Sequence, residues 1–393
     1  MALGALISAY QEDEHGGLRA LFPLAGRTLL EYQARCAAAV GAAPIVVMVE
    51  RIPASLNEAF ERLRGEGITV VPVSDGGEAA SRFEAGSLIL QVADGLAPDV
   101  PLLARLTDYA EPAIATVPDD EAHQDHERID GVSRWAGVAL VDSHTLGSTA
   151  AMLGDWDLQS TLLRRTVQAG ARHVPAAGAG ALLAQRPEDL ADFERHLLVA
   201  TRSERSDWSS RYVLPIVEEF GTERLMESRI RPDWLVFAAL VLTFAAAFCF
   251  SRGWLWPALG LLLLSTPLDL IGARLASLRL QPLPPRHLGR RMLWPAAGLA
   301  LLALGWWSSN HGSSWGAFFA AWTTAAFAEA ARIERAGSDI PPQAWLFSRR
   351  NAIFLAVPFA LAGWWVPYLA MIACYAAISF FVAQHFRHRI ARD

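Results

Sequence analysis

The 393-residue chain is long enough for two or three domains, is 53% hydrophobic and has a formal net charge of −6. Residues 1–230 hold 34 acidic and 20 basic residues, whereas residues 231–393 hold 6 acidic and 14 basic residues. No basic patch with interleaved aromatic side chains is present, which argues against nucleic acid as a partner. Three cysteines that lie far apart argue against a disulfide framework or a zinc site.

Residues 1–200 alternate short β-rich runs with amphipathic helical runs, which is typical of a Rossmann-like α/β domain with a largely parallel sheet. The strand candidates are GALISAY, PIVVMVE, ITVVPVS, SLILQVA, AIATVP and WAGVALVD. In such a sheet ligands bind beyond the carboxyl ends of the strands. The candidate binding loops are therefore residues 10–19, the loop with Asp94 and Gly95, and the loop after HVPAAGAG. No basic residues precede the first apolar run, so a cleaved signal peptide is not expected and this domain should be cytoplasmic.

The segment LRALFPLAGRTLL, residues 18–30, resembles the opening motif of sugar-nucleotide and inositol-phosphate nucleotidyltransferases. The resemblance implies a nucleotidyltransferase-like domain over residues 1–200. Gly16, Gly17 and Arg19 then take the positions that bind the nucleotide. Asp94 takes the position of a metal-binding aspartate at a strand end, with Mg²⁺ or Mn²⁺ as the implied metal.

The chain departs from that family at the residues that carry its chemistry. Glu12, Asp13 and Glu14 stand where a glycine-rich loop would offer unobstructed N–H groups to phosphate. Each carboxylate facing a phosphate charge at about 4 Å costs roughly 4 kcal/mol before screening. The chain has no lysine, so the family's lysine falls on Arg19, and Gln185 stands where a second metal-binding aspartate belongs. The sequence thus predicts a retained fold with a lost or altered site.

From Trp234 onward the chain contains apolar runs long enough to cross a membrane, since about 20 helical residues span the hydrocarbon core. An amphipathic linker over residues 201–232 precedes an all-α membrane domain over residues 233–393. Its six predicted spans cover approximately residues 234–250, 253–271, 292–309, 313–331, 346–364 and 366–384.

Arginine placement predicts the orientation of these spans, because loops rich in basic residues stay in the cytoplasm. Alternate links and the carboxyl-terminal tail hold Arg274, Arg279, Arg286, Arg290, Arg291, Arg332, Arg335, Arg349, Arg350, Arg387, Arg389 and Arg392. The opposite links hold only Arg252. We therefore expect a multi-pass protein of the cell inner membrane, in contact with the lipid bilayer and with both termini in the cytoplasm.

The stretch STPLDLIGARLASLRLQ resembles the signature of CDP-alcohol phosphatidyltransferases, in which four aspartates bind two metal ions. The resemblance implies that Asp269 is a catalytic and metal-binding residue and that Arg274 is catalytic, with Mg²⁺ or Mn²⁺ as cofactor. Thr266, Leu293 and Ala297 stand at the other three aspartate positions. Because one carboxylate cannot hold two divalent ions, an alternative interpretation places Asp269 and Arg274 in an ion pair at a helix end.

Glu329 lies inside the fourth predicted span, where an ionisable residue is a functional candidate by default. An ion pair with Arg332, Arg274 or Arg350 is the alternative interpretation. The order of the two halves resembles the fused inositol-1-phosphate cytidylyltransferase and di-myo-inositol-phosphate-phosphate synthase family.

Two hypotheses of function follow from these resemblances. In one, the protein is an enzyme that joins a CDP-activated donor to an alcohol. In the other, which the sequence favours, it is a catalytically degenerate membrane partner or regulator, as a homodimer or as a heterodimer with an active CDP-alcohol transferase.

Overall fold

The computed structural model describes residues 2–152, 157–176, 181–200, 207–226, 228, 230–281, 288–312, 315–335 and 343–390. Its contacts divide the chain into two compact units. The first comprises Met1–Ala200 with Leu278–Gln281, and the second comprises Thr201–Ser277 with Pro282–Asp393. The predictions that concern Arg286 and Arg392 lie outside the described residues, as do residues 177–180 at the end of HVPAAGAG.

The first unit alternates strands and helices, as its sequence predicts. Its strands are β1 Leu3–Ser8, β2 Pro23–Leu24, β3 Arg27–Thr28, β4 Ile45–Met48, β5 Val70–Val73, β6 Leu88–Val92, β7 Leu96–Pro98, β8 Ala113–Pro118, β9 Ser133–Asp142, β10 Arg172–Pro175 and β11 Ala181–Leu183. Its helices are α1 Leu29–Ala39, α2 Ala54–Gly65, α3 Gly76–Ser81, α4 Val100–Thr107, α5 Ser143–Met152, α6 Leu158–Gln168 and α7 Asp189–Ala200. All six strand candidates from the sequence correspond to strands of the main sheet.

The main sheet has seven strands in the order β10-β8-β9-β6-β1-β4-β5. β1 pairs in parallel with β4 on one side and with β6 on the other, whereas β9 runs antiparallel to both of its neighbours. The α/β prediction is therefore confirmed, with a mixed sheet. The chain builds from β1 outward to β5 and then returns to β6 beside β1, so the strand order reverses between β1 and β6. Loops beyond such a switch point form the usual ligand crevice of an open α/β sheet.

The LAGR turn in the first unit forms a hairpin followed by a capped helix. Ala25 and Gly26 join β2 to β3 with φ of 50° and 73°, as a two-residue hairpin of the primed type requires. Thr28 begins α1 with a reciprocal capping box: its hydroxyl accepts the Glu31 N–H, and Glu31 Oε2 accepts the Thr28 N–H at 3.1 Å. This stretch therefore fixes where α1 begins.

The second unit is helical. Its α-helices are α8 Pro215–Met226, α9 Pro232–Ser251, α10 Leu255–Leu278, α11 Leu288–Asn310, α12 Gly316–Arg335, α13 Arg349–Leu361 and α14 Trp365–Ile390, of which α10 ends with a residue of the first unit. Small residues allow neighbouring helices to approach closely. A Cβ at Gly305 of α11 would lie 2.7 Å from the Ala321 Cβ of α12.

Within the described residues, three helices are long and apolar enough to cross a membrane: Pro232–Ser251, Leu255–Leu278 and Trp365–His388. The predicted count of six spans is not confirmed. α11 begins beside Arg290 and Arg291, α12 ends in a charged segment, and α13 has only 13 residues. These helices lie where the apolar runs predict them, but they do not meet the combined length, hydropathy and charge criteria for a membrane span.

Candidate functional site

The acidic loop after β1 is held by its own carboxylate. Asp13 Oδ1 accepts the N–H groups of His15 at 2.9 Å and Gly17 at 2.7 Å, and the Asp13 carbonyl accepts the Gly16 N–H at 3.1 Å. The Gly17 N–H holds the pKa of Asp13 below its usual range. Gly16 and Gly17, which the sequence predicts as phosphate-binding residues, thus direct their N–H groups at Asp13.

Arginines pair with the other two acidic residues of this loop. Arg51 lies 2.6 Å from Glu12 and also donates to the Gly16 carbonyl at 2.9 Å, and Arg186 lies 2.9 Å from Glu14. These pairs are exposed and individually weak. Together with the backbone N–H groups that bind Asp13, they give each of the three carboxylates of residues 12–14 a partner.

Asp94 lies at the switch point, directly after β6, and is 2% exposed. Its Oδ2 accepts the N–H groups of Tyr10 and Gln11, each at 2.7 Å, so this carboxylate fastens the loop that follows β1. Burial raises the pKa of Asp94 to about 6. Within the described part of the chain, its other oxygen is buried without a hydrogen-bond partner.

Arg19 and Gly95 lie beside Asp94. Arg19 Nη1 donates to Gln11 Oε1 at 3.0 Å. Gly95 has φ of +74°, and a Cβ there would lie 2.7 Å from the Ala184 carbonyl oxygen and 3.3 Å from Arg19 Cδ. The structure therefore brings Arg19, Asp94 and the acidic loop together at one edge of the sheet, as the resemblance implies.

Sequence reasoning missed the polar residues that complete this edge. The Tyr10 hydroxyl donates to Asp157 Oδ1 at 2.7 Å, and the Asp94 N–H donates to Gln159 Oε1 at 3.3 Å. Asp157 also accepts the Gln159 N–H at the start of α6, which is the capping role that its sequence position indicates.

Backbone N–H groups already bind one oxygen of each of two carboxylates at this edge. Asp94 uses one oxygen for two backbone N–H groups, and Asp189 Oδ2 accepts the N–H groups of Gln185 and Arg186 at 2.9 Å. Across the described parts of both units, no group of three or more His, Cys, Asp or Glu side chains is arranged to hold a metal ion. Metal binding by Asp94 and nucleotide binding by Gly16, Gly17 and Arg19 remain predictions.

In the helical unit, Asp269 of α10 is bound by two guanidinium groups. Its Oδ2 accepts Arg349 Nη2 at 3.0 Å and Arg350 Nη2 at 2.8 Å. Arg350 Nη1 in turn donates to Asp207 Oδ2 at 2.9 Å. We call Asp207, Asp269, Arg349 and Arg350 the Asp269 network. Its side chains are 17% exposed or less, so their charges are largely removed from solvent.

Arg274, the second residue that the motif implies, lies in a different ion pair. Its Nη1 donates to Glu218 Oε1 at 3.0 Å, and both side chains are nearly fully buried. Among the described residues, Asp269 and Arg274 therefore do not pair with each other, as the alternative interpretation expected, but each forms an ion pair with other residues. The sequence did not indicate Glu218 as a partner. Asp207 and Glu218 both lie in the segment SDWSSRYVLPIVEEFGTERL. Its amphipathic pattern is the only feature of the sequence that draws attention to this segment.

A two-metal centre does not fit the surroundings of Asp269. The motif positions that would supply further carboxylates hold Thr266, Leu293 and Ala297, and Thr266 donates its hydroxyl to the Leu263 carbonyl at 2.8 Å. Two metal ions would have to bind where two guanidiniums already face one carboxylate. The catalytic roles of Asp269 and Arg274 remain predictions.

Glu329 of α12 pairs with Arg332, whose Nε donates to Glu329 Oε2 at 2.9 Å. This confirms one of the three pairings that the sequence left open. Both residues border a cavity of about 1060 Å³ between the helices of this unit, which is otherwise lined mainly by apolar side chains. Sequence reasoning did not predict this cavity.

Comparisons with known proteins identify no family. No protein-family model matches the chain, and no curated protein matches it. Among solved structures, the chain is similar to a protein of Bacillus anthracis described as a glucose-1-phosphate thymidylyltransferase, in complex with a sucrose. That match has a TM-score of 0.41 and 10% identity, and it covers 50% of this chain and 95% of that chain. Similarity this low carries no argument about function. The fold and sites define the chain as a two-unit protein with a mixed α/β unit and a helical unit that contains three candidate membrane spans.

Proposed function

We propose that this is a membrane protein of nucleotidyltransferase and CDP-alcohol phosphotransferase ancestry that has lost metal-dependent transfer and acts as a membrane partner or regulator. The observation that carries the proposal is the binding of Asp269 by Arg349 and Arg350. Asp269 is the one carboxylate that the CDP-alcohol motif retains. In this chain it neutralises arginines.

The energetics of buried ion pairs support this reading. Removing one partner from a buried pair typically costs about 3–5 kcal/mol, because the remaining charge is left uncompensated. A metal ion that recruited Asp269 would leave both Arg349 and Arg350 without that carboxylate. The Asp269 network therefore favours a structural role over exchange with a cation.

The α/β unit supports the same conclusion independently. Binding of phosphate by a loop requires N–H groups that are open to an incoming anion. The N–H groups of His15 and Gly17 donate instead to Asp13, and one oxygen of Asp94 is bound by the loop backbone. In the α/β unit, the Asp13 carboxylate thus takes the place that the family gives to a phosphate. In the helical unit, the guanidinium groups of Arg349 and Arg350 take the place of metal ions.

A protein without transfer chemistry in either unit would act through what it binds. We propose that the helical unit lies in the cell inner membrane with both chain termini in the cytoplasm, as the distribution of arginines indicates. Its partner would be a second copy of this chain or an active CDP-alcohol transferase, bound through the membrane helices.

A transfer assay on the full-length protein tests the proposal. The protein is purified in mild detergent and incubated with a CDP-alcohol, an alcohol acceptor and Mg²⁺ or Mn²⁺, and CMP release is followed. We expect no release above a protein-free control. CMP release that Asp269→Ala abolishes, and that the exposed control Asp233→Ala leaves intact, would establish the active-enzyme alternative and sink the proposal.

A further inference from the structure

The cavity of the helical unit extends along α11 from Arg290 to Leu304. Fourteen residues of helix correspond to about 20 Å, at about 1.5 Å per residue. The volume of about 1060 Å³ lies at the upper end of the roughly 300–1,000 Å³ typical of small-molecule sites. A space that extends this far along a helix suits an extended molecule better than a compact one.

Most of the cavity wall is apolar and comes from several helices. Leu259 and Leu262 of α10, Leu301 of α11, Ile353 of α13 and Trp365 of α14 are among its lining residues. A wall of this kind offers few hydrogen bonds to water or to a polar solute. The body of the cavity is therefore suited to a hydrocarbon chain.

One end of the cavity is basic. Arg290 and Arg291 lie near the start of α11, Arg332 near the end of α12 and Arg349 at the start of α13, with Glu329 as the acidic residue of the lining. Arg332 pairs with Glu329, and Arg349 pairs with Asp269.

Arg290 and Arg291 differ from the other lining arginines, because neither has a carboxylate partner among the residues that the structure describes. Both are exposed. The basic end therefore has an excess of positive charge that is available to a ligand.

We propose that this cavity binds a lipid phosphate, with a hydrocarbon chain along the apolar wall and the phosphate at Arg290 and Arg291. Guanidinium groups bind phosphate through paired, charge-assisted hydrogen bonds, so no metal ion is needed at this end. A neutral lipid would leave the arginines without a counter-charge, and a free phosphate would leave the apolar wall unfilled. The proposal does not depend on the loss of transfer chemistry, because binding is measured here without turnover.

Lipid titration of the full-length, delipidated protein in mild detergent tests the proposal, with bound lipid counted by native mass spectrometry. The probes are dioleoyl phosphatidic acid, dioleoyl phosphatidylcholine and inorganic phosphate. We expect phosphatidic acid to bind at least tenfold more tightly than phosphatidylcholine. Inorganic phosphate at millimolar concentration should not displace it.

Two pairs of variants locate the site. Arg290→Gln combined with Arg291→Gln should weaken phosphatidic acid about 30-fold, which corresponds to about 2 kcal/mol for two basic residues near an anionic lipid. Arg252→Gln, an exposed arginine just after α9 that does not line the cavity, should change the affinity less than twofold.

The second pair tests whether the lipid lies inside the cavity. A Cβ at Gly298 would lie 4.0 Å from its nearest neighbour, Ala325, so Gly298→Leu should occupy the space and lower the affinity for phosphatidic acid about tenfold or more. Gly260→Leu adds the same side chain to an exposed position of α10 outside the cavity and should have no effect. Size-exclusion profiles confirm that each variant is folded.

Three results would overturn the proposal. Equal affinity for the two lipids would mean that Arg290 and Arg291 do not recognise the anionic phosphate of phosphatidic acid, since phosphatidylcholine carries a phosphate whose charge its choline group balances. Equal effects of Gly298→Leu and Gly260→Leu would mean that the lipid binds the outer surface of the helices. Displacement of phosphatidic acid by inorganic phosphate would identify a site for a free anion.

Discussion

Asp94 and Asp269 are the carboxylates that the two family resemblances single out, one in each unit, and their surroundings differ. Asp94 is bound by neutral backbone N–H groups and has a pKa raised to about 6, whereas Asp269 is bound by two guanidinium groups. Burial raises the pKa of Asp94, and the backbone N–H groups that it accepts let its carboxylate fasten a loop. Asp269, in contrast, is the negative charge that balances Arg349 and Arg350 in the Asp269 network. The same residue type thus has two different structural roles.

The largest effect should come from removing the carboxylate of the Asp269 network. Asp269→Ala leaves Arg349 and Arg350 facing each other, and we expect a loss of about 3–5 kcal/mol in the free energy of unfolding. The measurement is unfolding of the full-length protein in mixed micelles. Asp233→Ala breaks a more exposed pair with Arg231 and should cost at most about 1 kcal/mol. Equal losses in the two variants would contradict the buried network.

The second effect is a pH dependence at Asp94. Because burial raises its pKa from 3.8 to about 6, the folded state binds this proton more tightly than the unfolded state. Asp94 therefore lowers the free energy of unfolding as the pH rises from about 4 to about 6. The difference in unfolding free energy, Asp94→Asn minus wild type, should rise by up to about 3 kcal/mol over that range, since one pKa unit corresponds to about 1.36 kcal/mol.

Hydrogen exchange of the β1 and β6 amides in the full-length protein provides this measurement. The asparagine oxygen can still accept the N–H groups of Tyr10 and Gln11, so the hydrogen bonds are preserved while the charge is removed. Asp125→Asn removes an exposed carboxylate as a control. If the difference in unfolding free energy does not change with pH, burial does not raise the pKa of Asp94.

The third effect tests the close packing beside Asp94. Gly95→Ala places a Cβ against the Ala184 carbonyl at a positive φ and should cost about 1–3 kcal/mol of unfolding free energy. Gly86→Ala has a similar φ of +80° with open space around it and should cost only about 1 kcal/mol. If Gly86→Ala proves the more harmful change, the contact between Gly95 and Ala184 is wrong.

The smallest effect on stability should come from the exposed acidic loop. Asp13→Ala removes the acceptor of the His15 and Gly17 N–H groups, so hydrogen exchange in residues 13–17 should accelerate while global unfolding is unchanged. Glu12→Ala, which removes only an exposed salt bridge, is the matched control. Unchanged exchange in Asp13→Ala would mean that this carboxylate does not hold the loop.

The sequence predicts six of the seven strands of the main sheet because each is a short apolar run, and most are buried on both faces. It misses β10, a mostly exposed strand of that sheet, and β2, β3, β7 and β11, which have two or three residues each and carry no periodic signal. The loops at the switch point follow from general rules for α/β sheets, so the sequence indicates the neighbourhood of Arg19 and Asp94.

Most partners within the sites do not follow from local pattern. Arg349 and Arg350 lie about 80 residues from Asp269, and Glu218 lies 56 residues from Arg274. Charged residues this far apart could pair in many ways, and only tertiary structure selects one. The pairing of Glu329 with Arg332 could be predicted because residues three apart lie on one face of a helix.

The most direct test of the central claim is the amount of Mn²⁺ bound per full-length chain, measured by electron paramagnetic resonance for wild type and for Asp269→Asn. If arginines occupy Asp269, the two proteins should bind the same amount of Mn²⁺ at every concentration, with size-exclusion profiles verifying that both are folded. Stoichiometric Mn²⁺ binding by wild type that Asp269→Asn abolishes would contradict the account and restore Asp269 as a metal ligand.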